Sequence, residues 1–127
     1  MNYLPCMKLR WVACWVLAIL FFGAGIAHFF SIQGMARFLP DWVPMKAAGV
    51  VFTGILEVAI AVGLSLPGSR KWSGRLAFAL LVLYTPLHLM DVMREAPVIG
   101  SKMVAIIRLP VQFVLLYLAW RVGWSRR

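Results

Sequence analysis

Acidic residues are nearly missing from this chain: its 127 positions hold four Asp and Glu against thirteen Lys and Arg, for a net charge of +9. Such a basic balance ordinarily raises nucleic acid as a partner. Here the cations are strung out between apolar runs instead of clustering on one helix or loop, so nucleic-acid binding is set aside. Cysteine is scarce too. Cys6 and Cys14 are the only two, eight apart, with no CxxC and no metal-like spacing, and they read as small apolar residues near a membrane surface. His28 and His88 are the only histidines. No HxxxH, ExxH or HxH frames them, so no metal site is expected. Glycine-rich phosphate cradles, nucleophile elbows and haem-attachment motifs do not occur either.

What the chain does have is hydrocarbon. Hydrophobic residues make up 63% and the mean hydropathy is +0.88, far above a soluble protein's share. Four apolar runs, 11–30, 47–66, 75–90 and 103–120, approach the ~20 residues that cross a bilayer. The expected fold is all-α, an integral membrane four-helix bundle forming one domain over 1–127. Lys8 and Arg10 ahead of the first run also suit a signal peptide, with Gly25-Ile-Ala27 as its cleavage site. The length of that run and the three comparable runs behind it favour a retained span. Gly23 and Ala27 then supply a small-xxx-small helix contact. The connection 31–45, with Pro40, Pro44 and Trp42, reads as a short turn-rich segment at the surface. Pro86 predicts a kink or an early end to the third span.

Four spans put both termini on one side. That side collects Lys8, Arg10, Arg70, Lys71, Arg75, Arg121, Arg126 and Arg127 with no acid, whereas the other holds Arg37, Lys46, Arg94 and Lys102 beside Asp41, Asp91 and Glu95. The bias of eight to four directs both termini to the cytoplasm and the protein to the inner (cytoplasmic) membrane as a multi-pass protein.

Glu57 stands in the middle of the second span. A charge at that depth costs on the order of 3 kcal/mol, so it belongs on an inward face. On a helical wheel Gly49, Thr53, Gly54, Glu57 and Ala61 share one side, small and polar; Val51, Ile55, Val58 and Val62 share the other. Counting ~1.5 Å per residue puts Glu57 ~16 Å below the outer end of its span, Arg108 ~9 Å deep and Gln112 one turn deeper, level with Glu57. His88 comes near the height of Arg108, and His28 lies ~3–5 Å from the outer end. Intramembrane polar groups therefore fall in the outer half or at the midplane, over an inner half of hydrocarbon. Arg108 and Gln112 share a face, and a Glu57–Arg108 pair with Gln112 and Thr53 filling the remaining lone pairs is expected. That pair serves either a site or only helix register. For Arg108 alone, snorkelling to the headgroups is the further alternative. Asp91 and Glu95 read as a solvated acidic face.

Four elements in order carry a family likeness: Gly25-Ile-Ala-His28-Phe29; Thr53-Gly54-Ile-Leu-Glu57 on to Gly63-Leu-Ser-Leu-Pro67 with Arg70; Pro86-Leu-His88-Leu-Met90; and Arg108-Leu-Pro110-Val-Gln112 with Ala119-Trp120. Together they resemble the DoxX family of small four-helix membrane proteins. The resemblance implies a compact bundle in a bacterial cytoplasmic membrane with His28, Glu57, His88, Arg108 and Gln112 at the family's polar positions. DoxX-type proteins are linked to thiosulfate:quinone oxidoreduction and redox-stress complexes, and distant animal relatives look like receptor-assembly chaperones. Leu87 departs from the polar residue of many relatives, and no thiol pair is present, which points to a subunit or accessory protein rather than an autonomous enzyme. Three readings follow. In one, the chain is a membrane subunit of a quinone-linked redox system, with Arg108 or His88 bonding a quinone carbonyl and Glu57 or a histidine exchanging the proton. In the second it is a scaffold or assembly chaperone for another membrane protein. In the third it is a small proton-coupled carrier.

Overall fold

The computed structural model describes residues 3–125, with side chains from Met7 to Ser125; the side chain of Cys6, and Arg126 and Arg127, lie outside the described residues. Helices follow one another as α1 Tyr3–Phe30, α2 Ile32–Ala36, α3 Lys46–Ser65, α4 Arg70–Met93 and α5 Lys102–Trp124. Among the described residues there is no strand. All of these helices except α2 are long and apolar enough to cross a membrane. α1, α4 and α5 are longer than the apolar runs behind them, because polar end residues still close backbone hydrogen bonds. α4 continues through Pro86 to Met93 instead of unwinding. Pro86 withholds its N–H from the Val82 carbonyl, but the neighbouring Leu81 carbonyl accepts from Thr85 Oγ1 at 2.8 Å and Gln112 Nε2 at 2.7 Å. Those side-chain bonds hold the turn before the proline.

α1 packs chiefly on α3 and α4 chiefly on α5; the two pairs meet along thinner seams, α3 with α4 and α1 with α5. The α1–α3 contact is made at Gly25 and Gly54. A Cβ on Gly25 would stand 2.9 Å from the Gly54 carbonyl, and one on Gly54 would stand 2.9 Å from His28 Cβ and 3.2 Å from the Gly25 carbonyl. The contact expected at Gly23 and Ala27 is thereby corrected: Gly23 is exposed with open space around it, two residues or ~200° round the helix from Gly25. Val58, read as lipid-facing, is half-buried against Gly25, while Phe52, Ile55, Ala59 and Val62 make the exposed stripe.

One end of the bundle gathers the start of α1, the α3–α4 turn and the end of α5. There Gly74 lies against Gly123 and Val122, and Arg75 Nε donates to the Gly123 carbonyl at 3.1 Å. The Arg70 guanidinium covers the Trp11 ring at 4.1 Å, and that of Arg75 lies 4.9 Å from Trp72 and 5.4 Å from Trp124. Arginine over indole keeps the charge at a polar boundary while its stem covers apolar surface. The half of the core nearer this basic end packs Cys14, Leu17, Ile60, Leu64, Ala119 and Val122. It is not hydrocarbon alone, since Ser73 is buried beside Gly63 and Ser65 and Ser69 donate to the Ala61 and Gly63 carbonyls.

The opposite end is built by two connections. In the first, α2 replaces the expected run of turns and leads to Met45, whose left-handed backbone (φ 50°) starts α3. Lys46 ties this connection down through the Leu39 carbonyl and Asp41. The second is organised by Asp91. Its carboxylate, 2% exposed, accepts from the Val98 N–H at 2.7 Å and the Ile99 N–H at 3.4 Å, with Arg94 Nη1 at 3.8 Å. Asp91 is therefore not on a solvated acidic face; of the two acids only Glu95 is exposed. The chain folds back over the helix end, and its partly buried amides find their acceptor in Asp91. Arg94 donates to the Arg37 carbonyl at 2.8 Å, and Lys102 to those of Val92 and Arg94.

Candidate functional site

Where the helix pairs meet at the loop end they do not close. A cavity of about 370 Å³ lies between α1, α4 and α5, and one of about 230 Å³ lies between α1, α3 and α4 beneath Met35, Phe38, Leu39 and Val43. Both are lined by Ala24, Glu57, Tyr84, His88 and Arg108, so this group is a wall common to the two. The first has an exposed rim of Leu20, Ala24, Val104, Ile107 and Val111, and so opens sideways through the α1/α5 seam.

Glu57, 2% exposed, is carried inward by α3 on the face of Gly54 and Ala61. Its partner is not Arg108, as expected, but His28, whose Nδ1 lies 3.2 Å from Glu57 Oε2. Helical side chains lean toward the N-terminus, which returns the His28 ring one turn down α1, where Nδ1 donates to the Ala24 carbonyl at 2.8 Å. Nδ1 thus stands between two acceptors, the Ala24 carbonyl and the nearby Glu57 Oε2. Arg108 is half-buried on both cavity walls and makes no hydrogen bond or salt bridge among the described residues.

Thr53 and Gln112 do not complete a Glu–Arg pair either. Thr53 Oγ1 donates to its own helix, at the Gly49 and Val50 carbonyls, as hydroxyls in helices commonly do. Gln112, 3% exposed, reaches across to the Leu81 carbonyl and more distantly to Thr85 Oγ1 at 3.4 Å. His88 is buried, edge-on to Phe38 and Tyr84 with ring centroids 6.3 Å away in each case, and its Nδ1 has no partner. Tyr84, absent from the sequence reading, turns its hydroxyl toward Glu57 and Thr53. It precedes His88 by four residues, so helical spacing alone would have put it on the same face.

All six expected polar residues thus line one or both of the adjoining cavities: Glu57, His88 and Arg108 line both, Gln112 the lateral one, and His28 and Thr53 the one under the connection. Among the described residues no three His, Cys, Asp or Glu are gathered as a metal-binding group. The site offers donors at Arg108, Tyr84 and His88 and a carboxylate acceptor at Glu57, beside an apolar slot. No curated protein and no solved structure matches the chain. Residues 17–123, which include every cavity residue, match a family described as a domain of unknown function (DUF8561), and the chain belongs to that family.

Proposed function

We propose that this protein takes a small lipophilic ligand from the bilayer through the α1/α5 seam and holds its polar head at Tyr84, His88 and Arg108. One observation carries the reading: buried His88 Nδ1 and the Arg108 guanidinium have no hydrogen-bond partner among the described residues, beside a cavity that opens sideways. A purely structural polar cluster in hydrocarbon satisfies its groups internally, at several kcal/mol for each one left unpaired. A quinone meets the geometry. Its carbonyls accept from Arg108 and from His88 or Tyr84, and Glu57 with His28 exchanges the proton that accompanies reduction. In this role the chain is a membrane subunit of a quinone-linked redox system with a redox protein as partner, which the DoxX resemblance supports. The scaffold or assembly-chaperone reading draws on Gln112 and Asp91, whose bonds only hold backbone, but leaves His88 Nδ1 and Arg108 without a reason.

Melting of the purified protein with and without an alkyl-quinone tests this. A bound ligand at a hundred times its Kd adds about 2.7 kcal/mol to the folded state. The wild type is expected to gain such a shift, and His88→Ala to melt near the wild type but lose it, since His88 Nδ1 gives up no hydrogen bond. If no quinone shifts the wild type and His88→Ala unfolds, the scaffold reading stands.

Both termini are assigned to the cytoplasmic side of the inner membrane by the basic residues at their end of the bundle. Reporter fusions after Arg127 and within 37–45 should report opposite compartments; the same compartment for both would overturn the orientation.

A further inference from the structure

The charges around the adjoining cavities do not close in pairs. Glu57 has His28 at 3.2 Å, and Asp91 has the Val98 and Ile99 amides with Arg94 at 3.8 Å. Arg108 has neither a carboxylate within salt-bridge reach nor a hydrogen bond among the described residues, though it stands on both cavity walls. A guanidinium in low-dielectric surroundings calls for an anion, and its planar fork fits a carboxylate or sulfonate with two parallel hydrogen bonds. Next to it the cavity wall is hydrocarbon, with Leu20, Phe21, Ile107, Val111 and Leu115 running toward the α1/α5 opening.

From this juxtaposition we infer that the site takes an anionic amphiphile, a slim apolar body ending in a carboxylate-like head, with Arg108 as its counter-ion and a proton taken up by the Glu57–His28 pair as the anion enters. The inference names the ligand class of the site proposed above and rests on that reading. The proton follows from charge balance. With Glu57 ionised and His28 neutral, Glu57 and Arg108 cancel; an entering anion leaves one negative charge in hydrocarbon until a proton joins it. His28 receives it at Nε2, because Nδ1 already carries the hydrogen donated to Ala24, and the imidazolium then lies against Glu57 Oε2. The other titratable groups facing the pair are Tyr84 and His88 from α4 and Arg108 from α5, while the residues of the α2 connection on the cavity wall bear no charge.

Decanesulfonate, anionic at every working pH, and decanol make the matched probes, titrated calorimetrically into the full chain in phosphatidylcholine nanodiscs. Decanesulfonate is expected to bind on the order of tenfold or more tightly than decanol. The dependence of its heat on buffer ionisation should report about one proton taken up per ligand. Arg108→Gln should erase the preference. Should that variant not fold, Arg108→Lys, which keeps the charge without the fork, should weaken decanesulfonate and leave decanol unchanged. Equal binding of the two probes, a preference that survives in Arg108→Gln, or binding without proton uptake overturns the inference. A quinone that stabilises the protein while decanesulfonate does not sinks this inference alone. If neither binds, the ligand site itself falls with it.

Discussion

Gly54→Leu is expected to leave little or no folded protein, while Gly49→Leu on the same helix folds as the wild type does. At Gly54 even the first added carbon meets His28 Cβ at 2.9 Å and the Gly25 carbonyl at 3.2 Å, so the helices themselves must part; at Gly49 nothing lies within 4 Å. Overpacking against side chains costs roughly 1–3 kcal/mol. Here one neighbour is backbone and cannot rotate away, so the cost should exceed that range. Separating α1 from α3 also draws His28 from Glu57 and leaves the carboxylate alone in hydrocarbon. Monodisperse yield in mild detergent and the melting midpoint measure both effects. A Gly54→Leu protein that melts like wild type would mean that α1 and α3 do not touch there.

Asp91→Ala should be the most damaging change at the loop end. It strips the Val98 and Ile99 amides of their acceptor and leaves Arg94 facing an empty corner. Unmaking a buried hydrogen bond costs about 1–3 kcal/mol, so a loss of about 3 kcal/mol is expected, with faster hydrogen exchange at Val98 and Ile99. Asp91→Asn, which keeps an acceptor oxygen, should lose about half as much. Unchanged exchange at those amides in Asp91→Ala would show that the connection is held by something else.

The helices were legible in the sequence because each is a run of apolar residues near bilayer length, and the inward face of α3 was legible because small residues share the side of Glu57. Arg108 and Gln112 also sit on one inward face of α5, opposite the exposed Phe113 and Tyr117. The partner of Glu57 was not legible. Depth counted from each helix's own end assumes that the ends are level, but His28 Cβ stands opposite Gly54, well inside α3, and the ring's lean toward Ala24 then carries it on to Glu57. Nor does depth say which helices are neighbours. The approach at Gly25 and Gly54 selects α3 for α1 and leaves Arg108 on the far side of the cavity. Asp91 was misread for a similar reason: its partners are amides of a connection that folds back, and no spacing in the sequence records such a return.

The two closely packed pairs, α1 with α3 and α4 with α5, are also consecutive along the chain, and this bears on how the protein enters its membrane. Glu57 finds His28 inside the first hairpin; Asp91 finds its amides, and Gln112 the Leu81 carbonyl, inside the second. The first hairpin therefore holds within itself the contact that its buried carboxylate makes. His28, Thr53 and Glu57 arrive with one hairpin and Tyr84, His88 and Arg108 with the other, so the cavity they share exists only once the two have docked.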